Sequence, residues 1–443
     1  MDSLRKAYFS TISGSILIQL SGIASGILSA RLLGPNGRGM QVVIVLIPTL
    51  VMSLGNLSLP FATAYMISKQ PKRTIEIAAS VFWLSLFYSL ILTSFAFLFL
   101  SKLIPTEKAE VIPTLSWYLW WIPCAFIGMS LLGIDHGRQA FIRYNLLRVL
   151  IPAVYVFGMV FLWSIDRVSL EGFVACSLAS VVIVAVIRTV LFGRWLSPLN
   201  VRWNIISELL KRGFLLHVPT IAGMVLMNID RIILTRLVEN AALGYYAGAL
   251  AVAMGQYGIA SAFMQVSFVK LAAEKEPEEG RKQMARHIRY AQVLITAVAV
   301  ALLIVAPYLI PFVFGEEFIP SIRIAYPLIL AMAFFGIGIV FDNSMRGLGH
   351  PIPSSIGNIL GLAIAVVFGI LLVPKYKGLG MALAMLIAMS SMLTYFICYS
   401  CYVLQIPPKE LWGFRIDVVR QICKALSDIF SRVILSRSVP IEK

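Results

Sequence analysis

The chain has 443 residues, of which 59% are hydrophobic and 13% charged, with a formal net charge of +16. Soluble domains carry about a quarter charged residues, so this composition excludes an ordinary water-soluble globule and makes lipid the solvent of most of the chain. The Lys and Arg residues are dispersed at the ends of apolar segments and form no block, which argues against a nucleic-acid partner.

A helix crosses a hydrocarbon core with about 20 mostly apolar residues, because every backbone amide must be bonded within its own segment. Such segments fall at 7–30, 41–67, 77–101, 112–134, 149–165 and 171–192 in the first part of the chain. They continue at 213–236, 242–269, 290–313, 323–344, 353–373 and 378–404. The first is preceded by Asp2, Arg5 and Lys6 and is longer than the apolar part of a signal peptide, so it reads as a retained helix. The fold expected is therefore an all-α polytopic membrane protein of about 12 transmembrane helices.

Every second gap is basic. Lys69, Lys72 and Arg73 follow the second segment, Arg138, Arg143 and Arg148 the fourth, and Arg194, Arg202, Lys211 and Arg212 the sixth. Lys270 to Arg289 follow the eighth and Arg346 the tenth. The positive-inside rule then places both termini in the cytoplasm. Beyond Pro407-Pro408, residues Leu411, Phe414, Val418, Ile422, Ile429 and Val433 share one helical face, the pattern of an amphipathic helix lying on the cytoplasmic membrane surface. Cysteines at 124, 176, 398, 401 and 423 give no disulfide framework and no metal site. Cys398 and Cys401 form a CxxC inside an apolar helix, where packing is the expected role.

The chain echoes itself. Arg31-Leu32 with Gly39 recurs as Arg236-Leu237 with Gly244, and Leu170-Glu171-Gly172 resembles Gly378-Leu379-Gly380. The shared offset of about 205 residues points to a six-plus-six duplication with parallel halves, at 1–200 and 201–405, and a tail at 406–443.

Four stretches carry a family resemblance: ARLLGPNGRG (30–39), IDRIILTRL (229–237) with ALGYYAGALAVA (242–253), RGLGHPIPSSIGNILG (346–361) and VPKYKGLGMALA (373–384). They resemble the polysaccharide-biosynthesis flippases of the multidrug/oligosaccharidyl-lipid/polysaccharide (MOP) exporter superfamily, over about residues 5–405. The resemblance implies two six-helix bundles facing a central cavity. It also implies transport of undecaprenyl-diphosphate-linked oligosaccharide from the inner to the outer leaflet of a bacterial or archaeal cytoplasmic membrane, with a polysaccharide polymerase and a chain-length regulator as candidate partners.

Such a cargo needs a polar, preferably cationic cleft for its head, so charged residues within apolar segments are the candidates for function. In the seventh segment His217, Thr220, Asn228, Arg231 and Thr235 fall along one helical face. Arg231 could bind diphosphate bidentately, or pair with an acid, or snorkel. Asp230 could couple transport to an ion or form a structural ion pair. Arg188 is either a cavity residue or a snorkelling one, and Gln19 is a cavity candidate. Asp342 and Arg346, with Asn343, form either a gate or a polar helix end. Arg31 and Arg236 occupy equivalent outer helix ends, where long basic side chains snorkel or guide a leaving diphosphate. In the first segment Gly14, Ser21, Gly22, Ser25, Gly26 and Ser29 supply small surfaces for close helix contact.

No phosphate-cradling glycine loop, HExxH or GxSxG motif occurs. A transporter is expected, not an enzyme, with no cofactor and no metal. The alternative to a flippase is a cation-coupled multidrug antiporter of the same superfamily, which would depend on Asp230 and Asp342.

Overall fold

The computed structural model describes residues 2–413 and Arg420, excepting the side chains of residues 2–12, 218–220 and 269. Among the described residues every regular element is helical. The first half of the chain supplies α1 (Asp2–Gly55), α2 (Leu59–Lys69), α3 (Thr74–Leu98), α4 (Leu100–Leu103), α5 (Ile112–Tyr118), α6 (Trp121–Gly137), α7 (Phe141–Ser164) and α8 (Leu170–Phe192). The second supplies α9 (Trp203–Leu226), α10 (Ile229–Leu237), α11 (Asn240–Ala253), α12 (Tyr257–Ala273), α13 (Pro277–Phe314), α14 (Ser321–Gly347), α15 (Pro351–Tyr402) and α16 (Pro408–Leu411). Eight helical stretches among the described residues are long and apolar enough to cross a bilayer, or nine if the bent pair Thr106–Tyr118 and Trp121–Gly137 counts as one.

Two of these stretches are too long to be single rods. A straight helix of 54 residues, the length of α1, would span about 80 Å at 1.5 Å per residue, far beyond a 30 Å hydrocarbon core. Gly34 breaks α1 with φ 65°, a left-handed conformation that glycine adopts without a Cβ clash, and Pro35 follows with no N–H to give. The Tyr155 hydroxyl of α7 accepts from Gln41 of the second arm at 2.8 Å and lies within electrostatic reach of Ser29 of the first, as arms that return on each other require. In α15 the break is at Lys377, φ 50°. There Gly369 lies beside Met381, Gly361 beside Met392 and Gly357 beside Phe396, the ladder of a tight antiparallel hairpin. The expected count of about twelve crossings treats these arms separately and adds the pair α9 and α10.

Helix ends differ from the hydropathy boundaries where charge begins. The fifth segment, expected at 149–165, starts in α7 at Phe141, because Arg143 is held there by Asp135 of α6, at 2.6 Å from Nε. Charge ends an apolar run without ending a helix. The small-residue stripe of the first segment is also corrected: Gly14 packs on Asn145, but Gly22 and Gly26 face open space. The amphipathic tail helix falls largely outside the described residues; Leu411 alone of its apolar face is described, and it is buried.

One apolar core runs through both halves of the chain, from Val43 and Ile44 to Met385 and Met389. A second joins α2, α3 and α6 to Ile205 and Leu209 of α9. The halves meet at both ends of the molecule, and those seams frame the site.

A central cavity between two seams

At the end where Gly34 turns the chain, Gly39 lies against the backbone of Asn240, and Gly244 lies against the backbone of Pro35. A Cβ on either glycine would overlap a carbonyl oxygen of the opposite half. The surrounding contacts obey the same exchange. Glu110 accepts from Asn240 Nδ2 at 2.8 Å, while Glu317 faces Gly34. Arg236 donates to the Lys102 carbonyl at 3.3 Å and Arg31 to that of Phe312 at 3.5 Å. Arg31 and Arg236 thus cap helix ends of the opposite half, α4 and α13. These contacts gather where Gly34 turns the chain, and Gly39 and Gly244 stand about 205 positions apart, the offset of the recurring motif.

The opposite, basic end is closed by a broken helix. Leu57 and Ser58 have left-handed φ values of 48°, and the Ser58 amide donates to the Asn56 side chain at 2.7 Å. The Leu54 carbonyl, which that amide would have satisfied in a continuous helix, accepts instead from His217 Nε2 of α9 at 3.0 Å. Ser58 Oγ lies 3.3 Å from His217 Nδ1. Gly213, one turn away, rests on the Leu57 carbonyl.

Between the seams is a cavity of about 400 Å³. Arg38, Gln41 and Thr49 of α1, Tyr155 of α7 and Ser177 of α8 line one wall, and Asp230 and Arg231 of α10 the other. Met227, Met254, Met332, Met385 and Met389 are among the apolar residues of the lining, a soft surface that adapts to shape.

Local sequence chemistry aims the charged groups. The helix stops at Leu226 and restarts at Ile229, and Asn228 spends its side-chain amide on the Met224 carbonyl, 2.8 Å away. The Arg231 amide, in the first turn of α10, is therefore taken by the Asp230 carboxylate at 2.8 Å. Helix starts favour such a carboxylate, and Tyr246 of α11 donates to its other oxygen at 2.9 Å. The Arg231 guanidinium takes the Met227 carbonyl at 2.7 Å, while its Nε is buried without a hydrogen-bond partner and lies 3.7 Å from Asp230. Arg38 Nη1 donates to Gln41 Oε1 at 2.6 Å, and Gln41 Nε2 donates to Tyr155 at 2.8 Å. No ion pair among the described residues includes Arg38, which lies within electrostatic range of Arg231. Two guanidiniums thus share the cavity with one carboxylate.

The polar stripe expected on the seventh segment is divided by this break. Arg231 and Asp230 reach the cavity wall, Asn228 serves the break, and Thr235 is buried with no partner for its hydroxyl. His217 belongs to the basic-end seam and not to the cavity; Thr220 is in α9, its side chain outside the described residues. Gln19 packs against Gly258 of α12 and is not among the residues that line this cavity. Arg188 is 1% exposed and donates to the Gly128 carbonyl at 2.5 Å, inside the first half near Asp135. Asp342 accepts from Ser354 and pairs with Arg346 at 3.3 Å, joining α14 to α15 within the second half. The residues not singled out from sequence are Arg38, Gln41 and Tyr155. Arg38 sits in the ARLLGPNGRG stretch, which hydropathy places between segments.

The fold is that of the MOP superfamily transporters. It matches an inward-facing multidrug resistance MATE family transporter of that superfamily with a TM-score of 0.72 at 16% identity, covering 89% of this chain and 98% of that one. The lipid II flippase MurJ in an inward closed conformation gives 0.72 at 14% identity over 96% and 99% of the two chains. A MOP superfamily transporter from Pyrococcus furiosus gives 0.61 at 18% identity over 91% and 95%. The chain belongs to the polysaccharide biosynthesis protein family, whose sequence model matches residues 28–323. No curated protein sequence matches it.

Proposed function

We propose that this protein is a flippase that carries an undecaprenyl-diphosphate-linked oligosaccharide from the inner to the outer leaflet of a bacterial or archaeal cytoplasmic membrane, for surface polysaccharide synthesis. The observation that carries this reading is the charge of the central cavity, where Arg38 and Arg231 face one carboxylate, Asp230. A diphosphate cannot enter hydrocarbon bare, and guanidinium groups meet phosphate oxygens with charge-assisted, often bidentate bonds. Of the donors on these two groups, the protein itself engages one on each through the contacts at Gln41 and Met227. The likeness to MurJ and the polysaccharide family support a lipid-linked cargo.

Transport needs no covalent step. The two halves rock about the cavity, opening one seam while the other is closed. With the basic loops in the cytoplasm, the Gly39 and Gly244 seam is the outer gate and the His217 seam the inner one. A polymerase and a chain-length regulator would act on the product beyond the outer gate. A multidrug antiporter for organic cations is disfavoured by the same charge balance, since Asp230 is engaged by Tyr246 and the Arg231 amide.

Deleting the gene tests the reading in cells. Lipid-linked repeat units should accumulate on the cytoplasmic leaflet and the surface polymer should be lost. Unchanged surface polysaccharide would refute it.

A further inference from the structure

A second cavity, of about 690 Å³, opens between α12 and α13 at the basic end. It shares no lining residue with the central cavity. Lys270, Arg286, His287 and Tyr290 line it together with Glu274 and Gln283, and Phe263 and Val266 extend its wall along α12.

Its charges are unevenly committed. The Glu274 carboxylate accepts the amides of Lys275 and Glu276 at 2.9 and 3.2 Å and Gln283 Nε2 at 2.9 Å, so it staples the turn between the helices. Those amide bonds hold its carboxyl below the usual carboxylate range, and it remains one negative charge at the rim. The other basic groups at the start of α13 are engaged elsewhere. Arg281 donates to the Leu404 carbonyl and Arg289 to that of Glu410, and Lys282 pairs with Glu278. Lys270 and Arg286 appear in no ion pair among the described residues and both are exposed. His287 Nδ1 is buried without a partner.

Depth decides what these groups meet. The apolar run of α13 begins near residue 290, so Arg286 lies about 6 Å beyond the hydrocarbon edge at 1.5 Å per residue, at the level of lipid phosphates. Val266, 48% exposed, lies one turn of α12 deeper than Lys270, within the apolar part of that helix. Cationic pockets between membrane helices on the cytoplasmic side suit anionic headgroups, and a cavity of this size suits a small ligand.

We propose that this pocket binds one anionic glycerophospholipid of the cytoplasmic leaflet, its phosphate on Lys270 and Arg286 and an acyl chain along Phe263 and Val266. This site is independent of the flippase reading, because it uses none of the central cavity.

The test is native mass spectrometry of the full chain, released from detergent after incubation with phosphatidylglycerol or phosphatidylcholine of identical acyl chains. The unmodified protein should retain phosphatidylglycerol at least about tenfold better, as two charge-assisted contacts imply. Lys270→Gln with Arg286→Gln should abolish that preference, whereas Arg281→Gln with Lys282→Gln, a change of equal charge at the start of α13, should preserve it. No preference in the unmodified protein, or equal retention by both double variants, would overturn the proposal. So would full competition by glycerol 3-phosphate alone, which would mark a soluble-anion site, or selective displacement by undecaprenyl diphosphate, which would mark a loading site for the cargo.

Discussion

Gly39 rests on the carbonyl of Asn240, and the same contact recurs 205 positions later, where Gly244 rests on the carbonyl of Pro35. The motif that recurs in the sequence at these two positions therefore also meets itself in the fold. Each copy of the turn is the other's packing surface, and the closeness of that packing requires that neither position carry a side chain.

Gly39→Ala tests whether this contact sets the resting state. Overpacking costs about 1–3 kcal/mol, enough to shift a two-state equilibrium severalfold toward an opened seam. Spin labels at Asn36 and Ala241 should report a larger population of long distances in the variant, and Gly244→Ala should act in the same direction. An unchanged distance distribution in both variants would show that the seam yields without opening.

At the other end, His217→Ala removes the bond to the Leu54 carbonyl that the helix break leaves exposed. The inner seam should loosen, and a cysteine placed at Thr49 in the cavity wall should react faster with a membrane-impermeant thiol reagent from the cytoplasmic side. A slower or equal rate would contradict the assignment of His217 to that seam.

Asp342 joins α14 to α15 within one half, through Ser354 and Arg346. Ser354→Ala should lower unfolding stability by about 1–3 kcal/mol, the cost of leaving a buried acceptor short of a partner, with transport per folded molecule little changed. Loss of transport at unaltered stability would make Asp342 a gate after all.

The turn before α11 carries a small pH dependence. Lys377 Nζ lies 2.7 Å from Glu239, and its hydrogen bond holds the Glu239 carboxyl below its ordinary value of 4.5. A depressed carboxylate contributes stability that is present above its unfolded pKa and lost as pH falls through the folded one. The pair is more than half exposed, so the effect is under about 1 kcal/mol. Thermal scans of Glu239→Gln should coincide with the unmodified protein below that range and fall slightly beneath it at neutral pH.

Much of this molecule is legible in its sequence because lipid imposes a simple rule on apolar length, and because a repeated turn repeats its residues. Asp230 and Arg231 stood out as charges inside an apolar segment, and they line the cavity. Arg38 did not, since a basic residue between two apolar segments reads as topology. Only the Gly34 turn, which leaves almost no loop, brings it into the first turns of the returning arm. His217 lies at Leu54 and Ser58, apart from Arg231, for a related reason. A single face drawn through His217 and Arg231 assumes an unbroken helix, whereas Asn228 ahead of Ile229-Asp230 is a helix-start signal in its own right. Contacts between halves, such as Glu110 with Asn240, depend on packing at long range and leave no local pattern.

In the flippase proposed above, Arg38 and Arg231 together receive the diphosphate. Reconstituted at equal density with a fluorescent undecaprenyl-diphosphate-linked oligosaccharide, the Arg38→Gln, Arg231→Gln and Arg231→Lys variants should be compared with the unmodified protein for transfer between leaflets. Each Gln variant should be slower by about tenfold or more, as loss of a charge-assisted contact implies, with Arg231→Lys intermediate because an ammonium lacks the bidentate fork. Unchanged transfer in both Gln variants would show that neither guanidinium holds the diphosphate.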